Sequence, residues 1–545
     1  MKKGTIIDGV VEQVDFPNKG RVVTEEGKVL VKGVLPGQQV RMRITKSRNQ
    51  RYEGNLLEVL KKGAIETCEP VCPQFGMCGG CAYQTIPYEE QLKLKEEQVR
   101  RLIREVYEDE EDRFEGSSAS PVTQEYRNKM EYSFGDEFKD GPLSLGMHKK
   151  GSFYDILTVD QCRLVHPDYN KVLRYTLDYF KKKEITFYHK MTREGYLRHM
   201  LLRRSSDPEE MLISIITTSN LPIDLTEWKD GLFELGLSAT IAGVLHIKND
   251  GLADVVKCDE MDILYGRDYI QETLLGLKFK VSVFSFFQTN TKGAEVLYRI
   301  VRNYVTEGRQ DVVYDLYSGT GTIAQVIAPV AKKVIGVEIV EDAVLAAREN
   351  AKLNGLDSCE FLAGDVLQVL DEIETKPDLI ILDPPRDGIH PKALKKIIAY
   401  GVERMIYISC KPTSLARDLA ILKENGYEMV KYQVVDQFPG TNHAETVVLL
   451  SQQKADDYVE VELELDELDL TSAESKATYA EIKDYVLKEH GLKVSNLYIS
   501  QVKRRCGIEV GENYNLPKSE DSRQHQCPED KEKAIRDALE HFRMI

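Results

Sequence analysis

The chain has 545 residues, of which 42% are hydrophobic and 30% charged, so it is long enough for three or four domains of ordinary globular composition. No apolar run reaches the ~18 residues that a membrane helix needs. The N-terminal segment has two lysines but no apolar stretch after them, which argues against a secretory signal. The sequence therefore excludes a membrane helix, and we expect a cytoplasmic protein without a membrane partner.

The net charge of −16 argues against a nucleic-acid partner until its distribution is considered. Residues 1–62 contain 13 Lys/Arg and 7 Asp/Glu, a net of +6. Residues 455–545 contain 13 Lys/Arg and 21 Asp/Glu, a net of −8. A basic module joined to an acidic tail fits contact with nucleic acid better than the total charge does.

Residues 1–62 alternate apolar and polar positions between turns that contain glycine. Val29–Val31 and Val40–Ile44 are predicted strands. Several short strands with glycine turns predict a small closed barrel of the OB type, a fold that is often used on RNA. A purely structural β-barrel is the alternative.

Residues 63–285 are predicted to form a second, mainly antiparallel α+β domain with strands such as Met211–Thr217. Four of the ten cysteines are crowded between positions 68 and 81. In a large cytosolic chain such a group indicates metal rather than disulfides. A helix is predicted over Tyr88–Val106, and the acidic run Glu108–Asp112 is expected to be a solvated loop.

Residues 286–452 change to a strand–helix–strand pattern. Short apolar runs separated by helical segments occur at Val312–Leu316, Lys333–Val337, Leu379–Leu382 and Met405–Ile408. This pattern predicts a doubly wound, Rossmann-like parallel sheet, in which ligands bind at the carboxyl ends of the strands.

Three features at those strand ends favour S-adenosylmethionine over NAD as the cofactor. The glycine loop YSGTGT, which starts at Tyr317, reads GTG rather than the G-x-G-x-x-G of dinucleotide enzymes. Glu338 ends the second strand, where an acid typically holds ribose hydroxyls; a surface carboxylate is the alternative. Asp365 follows the third strand, where it either approaches an adenine or caps a helix.

The fourth predicted strand runs into Asp383-Pro384-Pro385-Arg386. An acid followed by two prolines at this point is a frequent methyltransferase signature, because the prolines fix the backbone beside the methyl group of the cofactor. By itself the motif also suits methylation of an adenine amino group.

The fifth strand ends in Cys410, at the edge of the sheet where these folds keep their ligands. C5 of uracil is a poor nucleophile, but a thiolate that adds to C6 creates an enolate that takes a methyl cation at C5. A base must then remove the C5 proton. Glu445 is the candidate base and His443 its candidate orienter. The alternatives are a buried small hydrophobe for Cys410 and rim residues for the other two.

Taken together, these motifs resemble those of a known family, the RNA uracil-5-methyltransferases, and in particular their 23S ribosomal RNA branch. DLYSGTGT, GVE, LDPPR, ISCKP and HAE occur in the order and spacing of that family, and the resemblance covers residues 1–452. It implies an enzyme that methylates C5 of a uridine in 23S rRNA, with Cys410 as nucleophile and Glu445 as base. It also implies that the N-terminal barrel is a TRAM domain.

The resemblance further implies that Gln288, Tyr317, Glu338 and Asp383 bind S-adenosylmethionine. One position departs from the family, which has Asn or Asp after the nucleophile where this chain has Lys411. A cation there either lowers the pKa of the thiol or is merely tolerated.

The spacing Cys72-x5-Cys78-x2-Cys81 leaves the metal open. Structural zinc usually has two C-x-x-C knuckles, and only Cys78 and Cys81 form one. A fourth ligand is needed for any such centre. The resemblance implies a [4Fe–4S] cluster with Cys162 as the fourth ligand; zinc and no metal are the alternatives. Because the methylation chemistry needs no electron transfer, we expect a structural or RNA-positioning role for the cluster. Cys68 has no assigned role.

Two segments mix aromatic and basic residues, which suits contact with phosphates and unpaired bases. They are Tyr126–Lys129 and Tyr196–His199, with Arg203 and Arg204 following the second. A solvated surface is the alternative.

The tail, residues 456–545, is predicted to contain an acidic linker over Asp456–Asp469 and two or three helices, among them Tyr479–Glu489 and Ser495–Arg505. This pair resembles a helix–turn–helix and ends in a basic run, so it either adds RNA affinity or contacts a protein. We expect a monomer. For the whole chain, the alternatives to a 23S rRNA enzyme are a tRNA enzyme, an adenine amino-methyltransferase and an inactive RNA-binding homologue.

Overall fold

The computed structural model describes residues 1–453 apart from 50, 222, 254 and 374, and residues 479–542 apart from 493, 495 and 507–527. The chain divides into two compact units, Met1–Lys454 and Ala455–Ile545. The acidic linker that we predicted over Asp456–Asp469 lies outside the described residues. None of the described helices is long and apolar enough to cross a membrane.

Five strands close into a barrel at the N-terminus. They are β1 (Ile6–Asp15), β2 (Lys19–Thr24), β3 (Gly27–Lys32), β4 (Gln39–Arg48) and β5 (Arg51–Lys61), in the order β1-β2-β3-β5-β4. Because side chains alternate between the two faces of a strand, the valines and other aliphatic residues meet inside, as Val22, Val31 and Val40 do. The predicted closed barrel is confirmed.

The next part of the chain contains a seven-stranded sheet with helices beside it. Its helices are α1 (Tyr88–Arg104), α2 (Glu110–Arg113), α3 (Pro167–Lys182) and α4 (Thr226–Leu232). This part of the chain contains ten strands, seven of which form the sheet. They are β6 (Phe114–Ser118), β7 (Lys129–Asp136), β8 (Leu143–His148), β9 (Ile156–Thr158), β10 (Leu197–Arg204), β11 (Glu210–Thr217), β12 (Thr240–Lys248), β13 (Glu260–Gly266), β14 (Tyr269–Leu274) and β15 (Leu277–Ser282).

The strands of this sheet lie in the order β13-β12-β11-β10-β7-β8-β9. Neighbours run antiparallel except β11 and β12, which run parallel. The sheet is therefore mainly antiparallel, as the sequence predicts. Side chains of α3 and α4, among them Tyr169, Phe180 and Trp228, pack in its hydrophobic core.

The third part contains an eight-stranded sheet in the order β18-β17-β16-β19-β20-β22-β21-β6. Its strands are β16 (Val312–Leu316), β17 (Lys333–Glu338), β18 (Cys359–Ala363), β19 (Leu379–Leu382), β20 (Arg404–Ser409), β21 (Tyr427–Val435) and β22 (Glu445–Gln452). Its helices are α5 (Thr291–Thr306), α6 (Thr322–Ile327), α7 (Glu341–Leu353), α8 (Val366–Glu372), α9 (Pro391–Ala399) and α10 (Pro412–Glu424). Strands β16 to β20 are parallel, whereas β22 runs antiparallel to β20, so the predicted Rossmann-like sheet is confirmed.

One prediction about the segment before this sheet is wrong in part. The acidic run Glu108–Asp112 is solvated at four of its five acids, but it is not a loop throughout, because it enters α2 at Glu110. Glu110 is fully buried and forms ion pairs with Arg100 and Arg104 of α1. The segment then continues as β6, which adds an eighth strand beside β21. A carboxylate with two arginines nearby is stable in a buried place where an unpaired one is not.

The tail contains α11 (Tyr479–His490), α12 (Asn496–Arg505) and α13 (Glu529–His541), which share a small apolar core. The two helices whose bounds were predicted correspond to α11 and α12, and α13 is a third. The basic run at the end of α12 is partly used inside this unit, since Lys503 is buried and Arg505 pairs with Glu532 of α13.

Candidate active site

The loop after β16 turns sharply at the carboxyl edge of the parallel sheet. Tyr317, Gly319 and Gly321 all have left-handed backbones, with φ of 68°, 53° and 71°. Glycine adopts this conformation without steric cost, whereas for tyrosine it is strained, a feature that is common at functional sites. Glu338, at the end of β17, accepts hydrogen bonds from the N–H groups of Gly319 and Val340, both 3.0 Å long. Two of the predicted cofactor residues, Tyr317 and Glu338, are thus joined through one backbone loop.

Asp365 lies at the start of α8 and caps that helix. Its carboxylate accepts a hydrogen bond of 2.9 Å from the N–H of Leu367, as expected of an N-cap residue. Its charge also contributes to raising the pKa of Tyr317, after burial. The helix-cap interpretation of Asp365 is therefore correct, and the residue is at the same time an electrostatic neighbour of the loop.

Three acids lie close together near this edge: Asp315 and Glu445 are buried, and Asp383 is half-buried. Burial raises the pKa of Asp315, in β16, to about 8 and that of Asp383, after β19, to about 7. Burial and then the charge of Asp383 raise the pKa of Glu445 well above its usual range. The Asp315 carboxylate accepts one hydrogen bond, 2.9 Å from the N–H of Ala324, and its second oxygen has no hydrogen-bond partner among the described residues. Carboxyl groups that are shielded from water and close to one another resist ionisation, and a cationic ligand would bind favourably beside them.

Cys410 and Glu445 are cross-strand neighbours. In the antiparallel pair β20–β22, Ser409 lies opposite Thr446, so the next positions along the register are Cys410 and Glu445. Residues directly opposite have Cβ atoms ~5 Å apart. Burial, followed by the charges of Glu445 and Asp383, raises the pKa of the Cys410 thiol to about 12. The register thus brings the predicted nucleophile and the predicted base together.

Arg386 is the cation that opposes the increase in the pKa of Cys410. Its charge lowers the pKa of both Cys410 and Glu445, and its guanidinium lies 3.0 Å from Nδ1 of His443. Burial, then Arg386, lowers the pKa of His443 to about 4, so its imidazole is neutral at pH 7. Lys411 instead pairs with exposed Asp387, its amine 3.2 Å from the carboxylate. His443 therefore contacts Arg386, and Lys411, the residue after the predicted nucleophile, pairs with a surface acid.

Gln288 and Tyr298 complete the site on the side of α5. The main-chain oxygen of Gln288 accepts a hydrogen bond of 2.9 Å from the Asn128 side chain. Tyr298 is 3% exposed, and its pKa is raised by burial and then by the charge of Asp383, while a hydrogen bond with Gln288 opposes the increase. The structure therefore brings Gln288 to the acids of the site, with Tyr298 between them.

The loop between β21 and β22, residues 436–444, carries His443 and leads into Glu445. Lys95 of α1 forms a buried ion pair with Asp436 of this loop, 2.7 Å long, and also donates to the main-chain oxygen of Phe438. Gln91 of α1 accepts a hydrogen bond of 2.8 Å from the N–H of Gly440. Helix α1 therefore holds this loop at two points.

Residues 68–83, which contain Cys68, Cys72, Cys78 and Cys81 and are called the cysteine segment below, contact the same loop. The N–H groups of Ala82 and Tyr83 both donate to the main-chain oxygen of Gly440, at 2.8 and 3.1 Å. Burial, together with the charges of Cys162, Cys72 and Cys78, raises the pKa of the Cys81 thiol to about 12. The four predicted ligands are thus electrostatic neighbours. In the part of the chain that the structure describes, however, no three His, Cys, Asp or Glu side chains are grouped closely enough to hold one metal ion.

The predicted RNA contacts at Tyr196–His199, Arg203 and Tyr126 are wrong. Arg198 is 3% exposed and donates to the main-chain oxygens of Asn249, Gly251 and Ala253. Arg203 is 1% exposed and donates to the main-chain oxygen of Val283. The alternative, a solvated surface, is wrong as well. These arginines bind carbonyl groups of neighbouring loops because burial without such partners is too costly.

Comparisons with known proteins place this geometry in a family. Residues 87–453 match the family model described as tRNA (uracil-5-)-methyltransferase. The chain belongs to this family. It is 48% identical to an uncharacterized RNA methyltransferase of Clostridium tetani, over 83% of this chain and 99% of that one. It is 45% identical to one of Caldanaerobacter subterraneus, over 83% of this chain and 100% of that one.

The fold also has a solved counterpart. The tRNA (uracil-54, C5)-methyltransferase of Pyrococcus abyssi, in complex with S-adenosyl-L-homocysteine, superposes with a TM-score of 0.65 and 24% identity. The superposition covers 82% of this chain and all of that one. The chain is therefore an S-adenosylmethionine-dependent RNA (uracil-5-)-methyltransferase, and the resemblance seen in its motifs is confirmed at the level of the family.

Three residues of this methyltransferase site were not found from the sequence: Asp315, Tyr298 and Arg386. Asp315 lies inside a strand pattern that predicts only burial, and Tyr298 lies on the apolar face of a helix, where an aromatic side chain usually belongs to the core. Arg386 is part of the quoted LDPPR motif, which could have drawn attention to it. Only the fold shows that all three surround Cys410, Glu445 and Asp383.

The buried Lys95–Asp436 pair yields a first prediction. Lys95→Met leaves the Asp436 charge without its cation, so we expect the free energy of unfolding to fall by about 3–5 kcal/mol, seen as a lower melting temperature. The double variant Lys95→Met, Asp436→Asn should recover part of the loss, because the uncompensated charge is gone. Lys93→Met is the matched control, since Lys93 lies on α1 between Gln91 and Lys95 but is 70% exposed and pairs with Glu90. Equal melting temperatures for Lys95→Met and Lys93→Met would contradict the prediction.

A second prediction separates the two cations near the thiol. Arg386→Met removes the charge that lowers the pKa of Cys410, so less thiolate forms at pH 8 and alkylation by iodoacetamide should slow several-fold. Lys411→Met removes a charge that is paired with Asp387, so alkylation should keep the wild-type rate. Mass spectrometry of the peptide that contains Cys410 measures both. A slower reaction in Lys411→Met than in Arg386→Met would show that the assignment is reversed.

Proposed function

We propose that this chain transfers a methyl group from S-adenosylmethionine to C5 of a uridine in 23S rRNA, with Cys410 as nucleophile and Glu445 as base. The observation that carries the proposal is the register of β20 and β22, which makes these two residues neighbours at the edge of the sheet. That edge also holds the glycine loop and the buried acids. A thiol beside a buried carboxyl is the pair that this chemistry requires.

The residues at the edge fit the cofactor, and we assign its binding to Gln288, Tyr317, Glu338 and Asp383. The unpartnered oxygen of Asp315 and the raised pKa of Asp383 describe an acidic lining that is suited to a cation. When bound, S-adenosylmethionine supplies the methyl group from a sulfonium cation.

The reaction then follows from the chain's own residues. The Cys410 thiol loses its proton, which burial opposes and the charge of Arg386 favours. The thiolate adds to C6 of the uracil, and the resulting enolate takes the methyl group at C5. Glu445, as carboxylate, removes the C5 proton, and the bond between sulfur and C6 breaks to release the thiolate. A carboxyl whose pKa is raised by burial is a strong base once ionised, which suits this last step.

For the target we propose 23S rRNA, because the motifs resemble that branch of the family most closely; tRNA is the alternative, supported by the name of the matching family model. We assign residues 1–62 to a TRAM barrel, 63–285 to a central domain, 286–452 to the methyltransferase domain and 456–545 to a C-terminal extension. We expect a monomer in the cytoplasm.

We propose further that Cys72, Cys78, Cys81 and Cys162 hold a [4Fe–4S] cluster. The donor set consists of thiols that influence one another's pKa, which is the ligand chemistry of iron–sulfur centres. A single zinc ion needs every sulfur at ~2.3 Å from one point, whereas a cluster of several atoms spreads its ligands out. The contacts of Ala82 and Tyr83 with Gly440 favour a structural role for this segment.

RNA containing 5-fluorouridine tests the mechanism and the target together. Fluorine at C5 does not leave as a proton does, so the enzyme should be trapped on its substrate through Cys410 when S-adenosylmethionine is present. We expect a complex stable to denaturing electrophoresis with 23S rRNA fragments and none with tRNA. Cys410→Ala should form no complex. Glu445→Gln should form a complex even with ordinary uridine, because removal of the C5 proton stops. A complex with tRNA alone would move the target to tRNA.

Two other outcomes distinguish the remaining alternatives. If Cys410→Ala retains methyl transfer, the chemistry is methylation of an amino group. If the wild-type chain binds S-adenosyl-L-homocysteine and RNA but neither turns over nor forms the complex, the chain is an inactive RNA-binding homologue.

The cluster has its own test. Protein purified without oxygen should contain about four iron and four sulfide per chain, and Cys162→Ser should lose most of both. Cys258→Ser is the matched control, because Cys258 is a half-buried cysteine outside the proposed set. Zinc in place of iron, or equal iron in all three proteins, would overturn the assignment.

A further inference from the structure

We propose that the turn joining β8 to β9, residues 149–155, is a platform on which unpaired bases of the RNA substrate stack. We name it the stacking turn. The inference rests on the proposed function, since it identifies a surface where that RNA is bound. No sequence pattern indicated it, and of the residues expected to contact RNA, Tyr126, Tyr196–His199 and Arg203 are buried.

Two aromatic side chains stand out from the stacking turn. Phe153 is 76% exposed and Tyr154 is 57% exposed, with their ring centroids 6.0 Å apart and their planes at 72°. The ring of His148 lies 6.3 Å from that of Phe153. Exposed aromatic rings bring no gain in folding, and grouped ones usually mark an interaction site. Bases of single-stranded RNA stack on such rings whatever their sequence.

Three lysines lie near these rings, together with two acids: Asp155 belongs to the turn, and Glu137 lies 4.0 Å from the amine of Lys149. The amine of Lys190 lies 5.4 Å from the centre of the Phe153 ring, and Lys149 and Lys150 begin the turn. Lys150 is exposed and lies beside Gly33, between β3 and β4 of the basic N-terminal barrel. The turn therefore extends the positive surface that the barrel begins. Lysines near stacked bases neutralise the phosphates that join them.

The stacking turn is tied to the active site through the cysteine segment. The N–H of Lys150 donates to the main-chain oxygen of Met77 at 2.7 Å, and Lys149 forms an isolated β-bridge with Cys78. The same segment contacts Gly440 through Ala82 and Tyr83. RNA held on the turn is thus held at a defined place relative to the loop that leads to Glu445.

The mixture of residues favours RNA over a protein partner. The central parts of protein–protein interfaces contain aromatic residues but few lysines. Here two lysines, Lys149 and Lys150, precede Phe153 and Tyr154 in the same turn, and the amine of Lys190 lies over the Phe153 ring. That combination matches the pairing of stacking and phosphate contact that single-stranded nucleic acid requires.

The test compares two exposed aromatic pairs at opposite edges of the same sheet. The double variant Phe153→Ala, Tyr154→Ala removes the stacking rings. The control is Phe233→Ala, Tyr265→Ala, a pair that is 44% and 45% exposed, with Tyr265 on β13 at the far edge. Fluorescence anisotropy measures binding of labelled oligouridine and of an RNA duplex to each full-length protein. Melting temperatures verify that all of them fold.

We expect the dissociation constant for oligouridine to rise about tenfold or more in the Phe153, Tyr154 variant, the range for loss of one or two stacked bases. Binding of the duplex should hardly change, and the control should behave as wild type. Lys150→Gln with Lys190→Gln should lower the slope of log affinity against log salt by about 0.7 for each lost phosphate contact, whereas Lys181→Gln with Lys182→Gln on α3 should not.

Three results would overturn the proposal: no loss of oligouridine binding, a loss equal to that of the control, or an equal loss with duplex. The first result would indicate that these rings contact a protein and not RNA. Because anisotropy needs no turnover, these outcomes are independent of methylation. If wild-type protein fails to methylate any RNA, the proposed function fails while the platform is still tested. If it methylates, the variant should raise KM for RNA and leave kcat unchanged.

Discussion

Lys95 and Asp436 form an ion pair that water does not reach, one residue in α1 and the other in the loop that leads to Glu445. Two buried charges are stable only together, so α1 and this loop keep a single arrangement. Gln91 and the backbone of the cysteine segment add hydrogen bonds to the same loop at Gly440. The position of Glu445, in turn, decides what lies opposite Cys410. The active site thus depends on a contact made by a part of the chain more than three hundred residues earlier.

The electrostatics of the site follow from the same closeness. Asp315, Asp383 and Glu445 are crowded in a dry place, so each has a raised pKa, and Cys410 beside them holds its proton tightly. Arg386 is the nearby cation that counteracts this effect at both Cys410 and Glu445. With this balance of charges, Cys410 and the neighbouring acids tend to stay protonated, and a ligand that brings positive charge favours their ionisation. Positive charge from such a ligand would explain how Cys410, a thiol with a raised pKa, serves as the nucleophile that we propose.

The cysteine segment connects two surfaces with different tasks. On one side it contacts the loop before Glu445, and on the other it contacts the turn that carries Phe153 and Tyr154. A metal cluster at these thiols would stiffen the connection without taking part in electron transfer. This gives a physical reason for an iron–sulfur centre in an enzyme whose reaction needs no redox step.

The sequence alone determined the closed barrel, the Rossmann-like sheet and the motif residues of the site, because alternation and short apolar runs depend on local periodicity. Tertiary structure decided the rest. Whether Arg198 meets RNA or a carbonyl, whether Glu110 is solvated or buried, and whether Tyr298 is core or site depend on partners far along the chain, which composition does not specify. The pairing of Cys410 with Glu445 could be guessed from chemistry, but the β20–β22 register is what brings them side by side. Charge and aromatic content predicted that RNA would be bound, but only the folded chain shows which aromatic and basic side chains are exposed.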